Sequence, residues 1–223
     1  MPRIERVDVG GEIYHVINRA NSRVKIFDND GDYKNLEAIL EEAVTKFDMR
    51  LLAYCIMPNH WHLVLHPKQD GDLSKFMGWL TNTHTRRWHT LKGTIGQGHL
   101  YQGRYKSFIC QNDYHFLALV RYVERNAKRA NMVKKVEDWK WSSAWRRVYG
   151  IQNQKKILSS WPISIPKNYL EYLNESQNEE EVDMIRRSII KNIPFGGDSW
   201  CDRVVKKFNL EQTLRGVGRP KGK

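Results

Sequence analysis

The 223-residue sequence predicts an α+β fold, an antiparallel sheet with helices packed on it and a small helical extension after it. Three observations predict it. Up to Gly150 the hydrophobic period switches between two and three-to-four in the order β-α-β-β-α-β-α. A Pro58-Asn59 pair joins two of the strands with no room for a helix between them. Beyond Gly150 the period is lost in a polar, proline-interrupted stretch before three short helical patterns appear. This order is related to the ferredoxin-like and RRM-like sheets. Residues 1–150 are therefore expected to form one domain and residues 151–223 a helical extension.

Each element has its own signal. Gly10-Gly11 precede EIYHVINRA (12–20), whose β-branched and aromatic residues alternate as in a strand. Asp30 then opens a helix in which Leu36, Ile39, Leu40, Ala43, Val44 and Phe47 form one apolar stripe. MRLLAYCIM (49–57) is apolar on both alternating faces, as in a central strand covered on two sides. Pro58 suits the first central position of a tight turn and Asn59 the second, so a hairpin leads into 60–66. A second helix spans about 73–91, with Phe76, Leu80, His84 and Trp88 on one stripe. Gly93, Gly96, Gly98 and Gly103 mark a flexible loop; it lacks the G-K-[ST] ending of a phosphate-binding loop, which argues against a nucleotide site. RYKSFIC (104–110) reads as another strand, Asp113 as the N-cap of a helix through about Ala127, and 141–149 as a short closing helix. In the extension, IQNQKKILSSWPISIP is a linker, helical patterns run near 168–173, 179–191 and 199–208, and LRGVGRPKGK is a mobile basic tail.

Charge narrows the partner class. The net charge of +12 is concentrated: residues 84–150 carry 14 basic and 4 acidic side chains, and residues 201–223 carry 7 and 2, while the remainder is close to neutral. Such blocks attract a polyanion through counterion release, and nucleic acid leads. Cys55, Cys110 and Cys201 are odd in number and form no C-x-x-C pair, so neither a disulfide framework nor a zinc knuckle is indicated. MPRIERVDVGG is charged where a signal peptide needs an apolar run, and 18 consecutive apolar residues occur nowhere. A soluble cytoplasmic chain with no membrane partner is the expectation.

The chemistry gathers on two elements. His60-Trp61-His62-Leu63-Val64-Leu65 alternates strictly, so both imidazoles share one strand face while Trp61, Leu63 and Leu65 turn into a core. That placement suits a divalent metal but needs a third ligand. On the helix after Asp113, Tyr122 and Asn126 are four apart and therefore neighbours on its surface. The amide oxygen of Asn126 can complete a two-histidine site and leave positions open for phosphate. Tyr122 then lies beside that phosphate. A phenol is a weak nucleophile at neutral pH unless a nearby cation stabilises its phenolate; a phosphotyrosine, once formed, conserves the bond energy for rejoining. His66 shares the histidine face and is expected to be structural.

In order along the chain, MPNHWHLVL (57–65), YQGRYKSF (101–108), RYVERNAKRANMV (121–133), WKWSSAW (139–145) and PFGGDSW (194–200) resemble the HUH single-tyrosine transposases, in the branch of REP-associated tyrosine transposases. The likeness covers nearly the whole chain. It implies the HUH fold, His60, His62 and Asn126 as metal ligands, Tyr122 as nucleophile, and magnesium or manganese (Mg2+ or Mn2+) as the ion. It implies single-stranded DNA cleaved at or beside a hairpin of a repetitive extragenic palindrome, through a 5′-phosphotyrosine. The family commonly has proline after the asparagine; Ala127 stands there in this chain, which lets the helix run on and shifts Asn126. Arg104, within the family motif, is the preferred phosphate contact, with Lys106, Arg86, Arg87, Arg121, Arg125, Lys128 and Arg129 as further candidates. Trp88, Tyr101, Tyr105 and Trp141 are candidates for stacking on unpaired bases, with the core as the competing place. One tyrosine means that two strand cuts need two turnovers or two subunits, which leaves monomer and homodimer open. Two other readings compete: a non-catalytic module binding hairpins of single-stranded DNA or RNA, without metal dependence, and a metal nuclease that activates water and leaves no protein attached.

Overall fold

A computed structural model describes residues 6–214. Along the chain run β1 (Ile13–Arg19), α1 (Asp30–Phe47), β2 (Arg50–Met57), β3 (His60–His66), α2 (Asp72–Lys92), β4 (Lys106–Cys110), α3 (Tyr114–Glu124) and α4 (Asn126–Arg129). There follow α5 (Ser143–Tyr149), α6 (Gln152–Lys155), α7 (Tyr169–Asn174), α8 (Glu179–Lys191), α9 (Asp198–Lys207) and α10 (Glu211–Leu214). The four strands form one antiparallel sheet in the order β2-β3-β1-β4. This is the expected ferredoxin-like arrangement, with β1 and β3 in the middle. The basic tail lies, from residue 215 on, outside the described residues.

The sheet is covered on both faces, as the doubly apolar β2 requires. On one face Leu36, Ile39 and Leu40 of α1 and Phe76 and Leu80 of α2 pack on Tyr54, Trp61, Leu63 and Leu65. The carboxamide of Asn29 caps α1 by accepting from the amides of Gly31 and Asp32, so the helix opens where Asp30 had suggested. On the other face Phe116, Leu119, Val120 and Val123 of α3 pack on Ala53, Cys55, Val64 and Phe108. The C-terminal segment completes that second core with Trp161, Leu173, Ile185 and Phe195.

Chain from beyond α4 also covers both sheet edges. Beside β2, the amide of Ile56 donates to Trp141 and that of Ser159 to Leu51 (2.9 and 2.8 Å). Beside β4, Phe195 exchanges bonds with Ile109 and Gln111, both 2.9 Å. An edge strand so paired offers no template to another chain. Gly196 is required at this crossing, because a Cβ would lie 2.7 Å from the Gln111 side-chain oxygen and closer still to the Trp200 ring.

The aromatic residues proposed as base-stacking platforms belong to the core instead. Tyr101 Oη is hydrogen-bonded to His84 Nδ1 (2.6 Å) and accepts from Trp61 Nε1 (2.9 Å). Trp88 Nε1 donates to the Ile26 carbonyl, Trp141 stacks on Tyr33 at 4.8 Å, and Tyr105 lies under the Arg6 guanidinium. A tryptophan with its N–H satisfied inside the fold is a packing residue.

Candidate active site

Alternation along β3 sets His60 and His62 on the sheet face that α3 covers, with Trp61, Leu63 and Leu65 turned to the other core. Their ring centroids are 5.1 Å apart. His60 Nδ1 is 2.6 Å from the side-chain oxygen of Asn59, whose amide nitrogen donates to the Arg23 carbonyl at 3.0 Å. The Arg23 carbonyl can only accept, so the Asn59 oxygen faces the ring, His60 Nδ1 donates, and Nε2 keeps a free lone pair. His62 Nδ1 is 2.8 Å from Nε2 of a third histidine, His15 on β1. Burial, with the Arg19 charge nearby, lowers the pKa of His60 to about 4; burial and then the neighbouring imidazoles lower that of His62 well below the usual value. Both rings are neutral at pH 7, the form that ligates metal. His66 bonds the Gly11 carbonyl through Nε2 at 3.0 Å and ties down the strand end, as expected.

Tyr122 comes from α3 and meets His62 edge to face, with ring centroids 6.1 Å apart. The helix does not run on through Ala127. It is interrupted at Arg125, where ψ is −1°, and resumes as α4. Side-chain donors occupy the carbonyls at the break: Asn126 Nδ2 bonds Tyr122 and Val123 (3.2 and 3.1 Å), and Arg129 Nη2 bonds Tyr122 (3.0 Å). Such back-bonding competes with the helical ladder, so no proline is needed to stop it. Asn126 Oδ1 accepts from Arg129 Nη2 at 2.9 Å, and the guanidinium carbon stands 4.1 Å from the centroid of the Tyr122 ring.

His60, His62, Tyr122 and Asn126 line one cleft of about 670 Å³. Its other walls are Ile17, Asn18 and Arg19 of β1, the 102–106 segment, and Arg186, Ile189 and Ile190 of α8. Arg19, Arg23, Arg104, Lys106 and Arg186 make it a cationic trough suited to phosphates. Among the described residues no three His, Cys, Asp or Glu side chains are grouped to hold a metal, so a third protein ligand beside the two imidazoles would come from another oxygen donor. Asn126 Oδ1 is such an atom in the same cleft, with one lone pair left after its bond to Arg129. The donor set fits a divalent cation with open positions.

The predicted phosphate contacts divide. Arg104 and Lys106 are exposed in the cleft. Arg86 and Arg87 sit on α2, in the helical layer on the opposite sheet face, and Arg87 is held bidentate by Glu42 (2.7 and 2.8 Å). Arg121 donates to the carbonyls of Glu175 and Ser176, Arg125 to that of Leu173, and Lys128 to that of Asn174. These three clamp the C-terminal end of α7, and Arg129 serves Tyr122 and Asn126. Sequence reasoning missed Arg19, Arg23, Arg186, His15 and Asn59. His15, Ile17 and Arg19 do alternate on one face of β1, but only strand pairing brings that face beside His62; nothing local marks Arg186.

The family model described as IS200-like transposase matches residues 9–126. A solved structure of the REP-associated tyrosine transposase bound to a REP hairpin superposes with a TM-score of 0.56 at 18% identity, covering 75% of this chain and 96% of that one. It shares the fold. A transposase candidate from Deinococcus radiodurans R1 gives a TM-score of 0.41 at 21% identity, over 59% of this chain and 98% of its own. No curated protein matches the sequence.

Proposed function

Because this chain belongs to the IS200-like transposases, we propose that it cleaves and rejoins single-stranded DNA at hairpins, with Tyr122 as the nucleophile. The observation that carries this reading is the shared cleft: one phenol, two neutral imidazoles and one carboxamide from three separate elements face the same cationic space. A REP hairpin, the ligand of the structural relative, is the substrate class that suits it.

In this mechanism Arg104, Lys106 and Arg186 hold the phosphates flanking the scissile one, and Tyr122 Oη attacks its phosphorus in line with the departing 3′ oxygen. The Oη–P bond forms, the P–O3′ bond breaks, and the phenolic proton ends on the released 3′ hydroxyl. Arg129, stacked on the Tyr122 ring, stabilises negative charge developing on the phenol. His60 Nε2, His62 Nε2 and Asn126 Oδ1 would hold a divalent cation, Mg2+ or Mn2+, which supplies Lewis-acid polarisation of the phosphate when bound. Attack by a 3′ hydroxyl on the 5′-phosphotyrosine reverses the step and rejoins the strand without a nucleotide cofactor.

A labelled hairpin oligonucleotide tests the proposal. Wild-type protein with Mg2+ should form a covalent adduct that EDTA prevents, and Tyr122→Phe should abolish the adduct while hairpin binding stays within a few-fold. Adducts persisting in that variant would move the nucleophile elsewhere; cleavage with free ends and no adduct would favour activated water.

A further inference from the structure

The two imidazoles of the cleft are held from behind by partners of different kinds. The partner of His60 is Asn59, its neighbour in sequence, whereas that of His62 is His15, 47 residues away on another strand. His15 is fully buried and stacks on Phe108 with ring centroids 4.8 Å apart. Its Nδ1 is buried without a hydrogen-bond partner, an arrangement that costs free energy and that a phenylalanine or leucine would avoid. Antiparallel pairing of β1 with β3 sets Ile17 opposite His62 and His15 opposite Val64, so His15 reaches His62 on the diagonal of the same face.

We infer that His15 is a positioning residue for His62: its Nε2 accepts the His62 Nδ1 proton, fixing both the plane of that ring and the tautomer whose Nε2 is an unprotonated donor atom facing the cleft. A neutral imidazole carries one proton, so the direction of the His15–His62 bond decides which His62 nitrogen is bare. If His15 donated instead, the His62 proton would sit on Nε2 and block a cation. With His15 accepting, its own proton lies on Nδ1 beside Phe108, where no acceptor meets it. The unsatisfied nitrogen is thus the cost of an oriented ligand, the role that carboxylates and carbonyls play behind other metal-binding histidines.

The inference rests on the metal site of the proposed function, and one experiment separates their failures. Mn2+ affinity is measured on the full-length protein without DNA, by calorimetry or electron paramagnetic resonance, for wild type, His15→Phe and His15→Gln. Phenylalanine fills the site without accepting a proton and should weaken Mn2+ by about 10- to 100-fold. Glutamine, whose Oε1 can accept, should recover most of that loss, and hairpin binding in EDTA should stay within two-fold in both. Equal Mn2+ affinity in folded His15→Phe overturns the role of His15 alone; a wild type that binds no Mn2+ overturns it together with the metal reading. Nitrogen-15 NMR of wild type saturated with Mg2+ decides the matter without any variant: the His62 proton should be on Nδ1, and a proton found on Nε2 overturns the inference.

Discussion

At the scale of single residues, Arg129 has the most concentrated set of duties. It donates to the Tyr122 carbonyl and to Asn126 Oδ1 and covers the Tyr122 ring, so it fixes the nucleophile, orients the amide and places positive charge beside the reacting phenol. It was predicted as a phosphate contact on charge alone; the structure turns it inward. Arg129→Met, which retains bulk but no charge, should slow single-turnover adduct formation by at least about tenfold, or 1.4 kcal/mol of transition-state energy. Hairpin binding should change little, and a variant that loses binding but reacts normally once saturated with DNA would show a phosphate contact after all. The residues legible from sequence here, His60, His62, Tyr122 and Asn126, share one property: each pair is close in sequence, two apart on β3 or four apart across the α3–α4 break, so local spacing sets their common side.

At the scale of elements, the basic run on α3 and α4 is a clamp on α7. A helix of six residues has more carbonyls unsatisfied than satisfied, and Arg121, Arg125 and Lys128 supply cationic donors to that C-terminal end. Because α3 also carries Tyr122, this contact joins the nucleophile's support to the C-terminal segment. Glu124, fully buried on α3, adds bonds to Tyr169 of α7 (2.8 Å) and to Arg147 of α5. Arg121→Met should cost about 1.5–3 kcal/mol in urea unfolding, the value of a hydrogen bond to a charged group, and leave the salt dependence of hairpin binding unchanged. Arg104→Ala should do the reverse, with stability within about 0.5 kcal/mol and the salt slope of binding reduced by about one. A swapped outcome would mean that the cations had been assigned to the wrong ligand.

For the whole molecule, the sheet is buried between two layers, and His15 and His84 are wholly enclosed by them. Burial lowers the pKa of both His15 and His84 to about 3, against 6.5 when exposed. Their folded-state pKa values are depressed, so the unfolded chain binds the extra protons: stability is full above pH 6.5 and is lost as pH falls toward 3. These two rings alone should cost about 4 kcal/mol between pH 7 and pH 5, and His60 and His62, also depressed by burial, add loss of the same sign, so urea midpoints in EDTA should show at least that much. A flat profile over that range would mean that the rings are charged inside the fold. No helix among the described residues is long and apolar enough to cross a membrane.

Element order, the Pro58-Asn59 hairpin, the two-histidine strand face and the Tyr122–Asn126 pair were all determined by the sequence itself, because each depends on local periodicity. Three things were decided only by tertiary structure. The α3–α4 cations turn to the carbonyls of α7, the Tyr101, Trp88 and Trp141 rings turn to the core, and His15 and Arg186 join the cleft from distant elements. A charge or a ring carries no local mark of its partner; burial and unsatisfied carbonyls choose it, and these exist only once the chain has closed on itself.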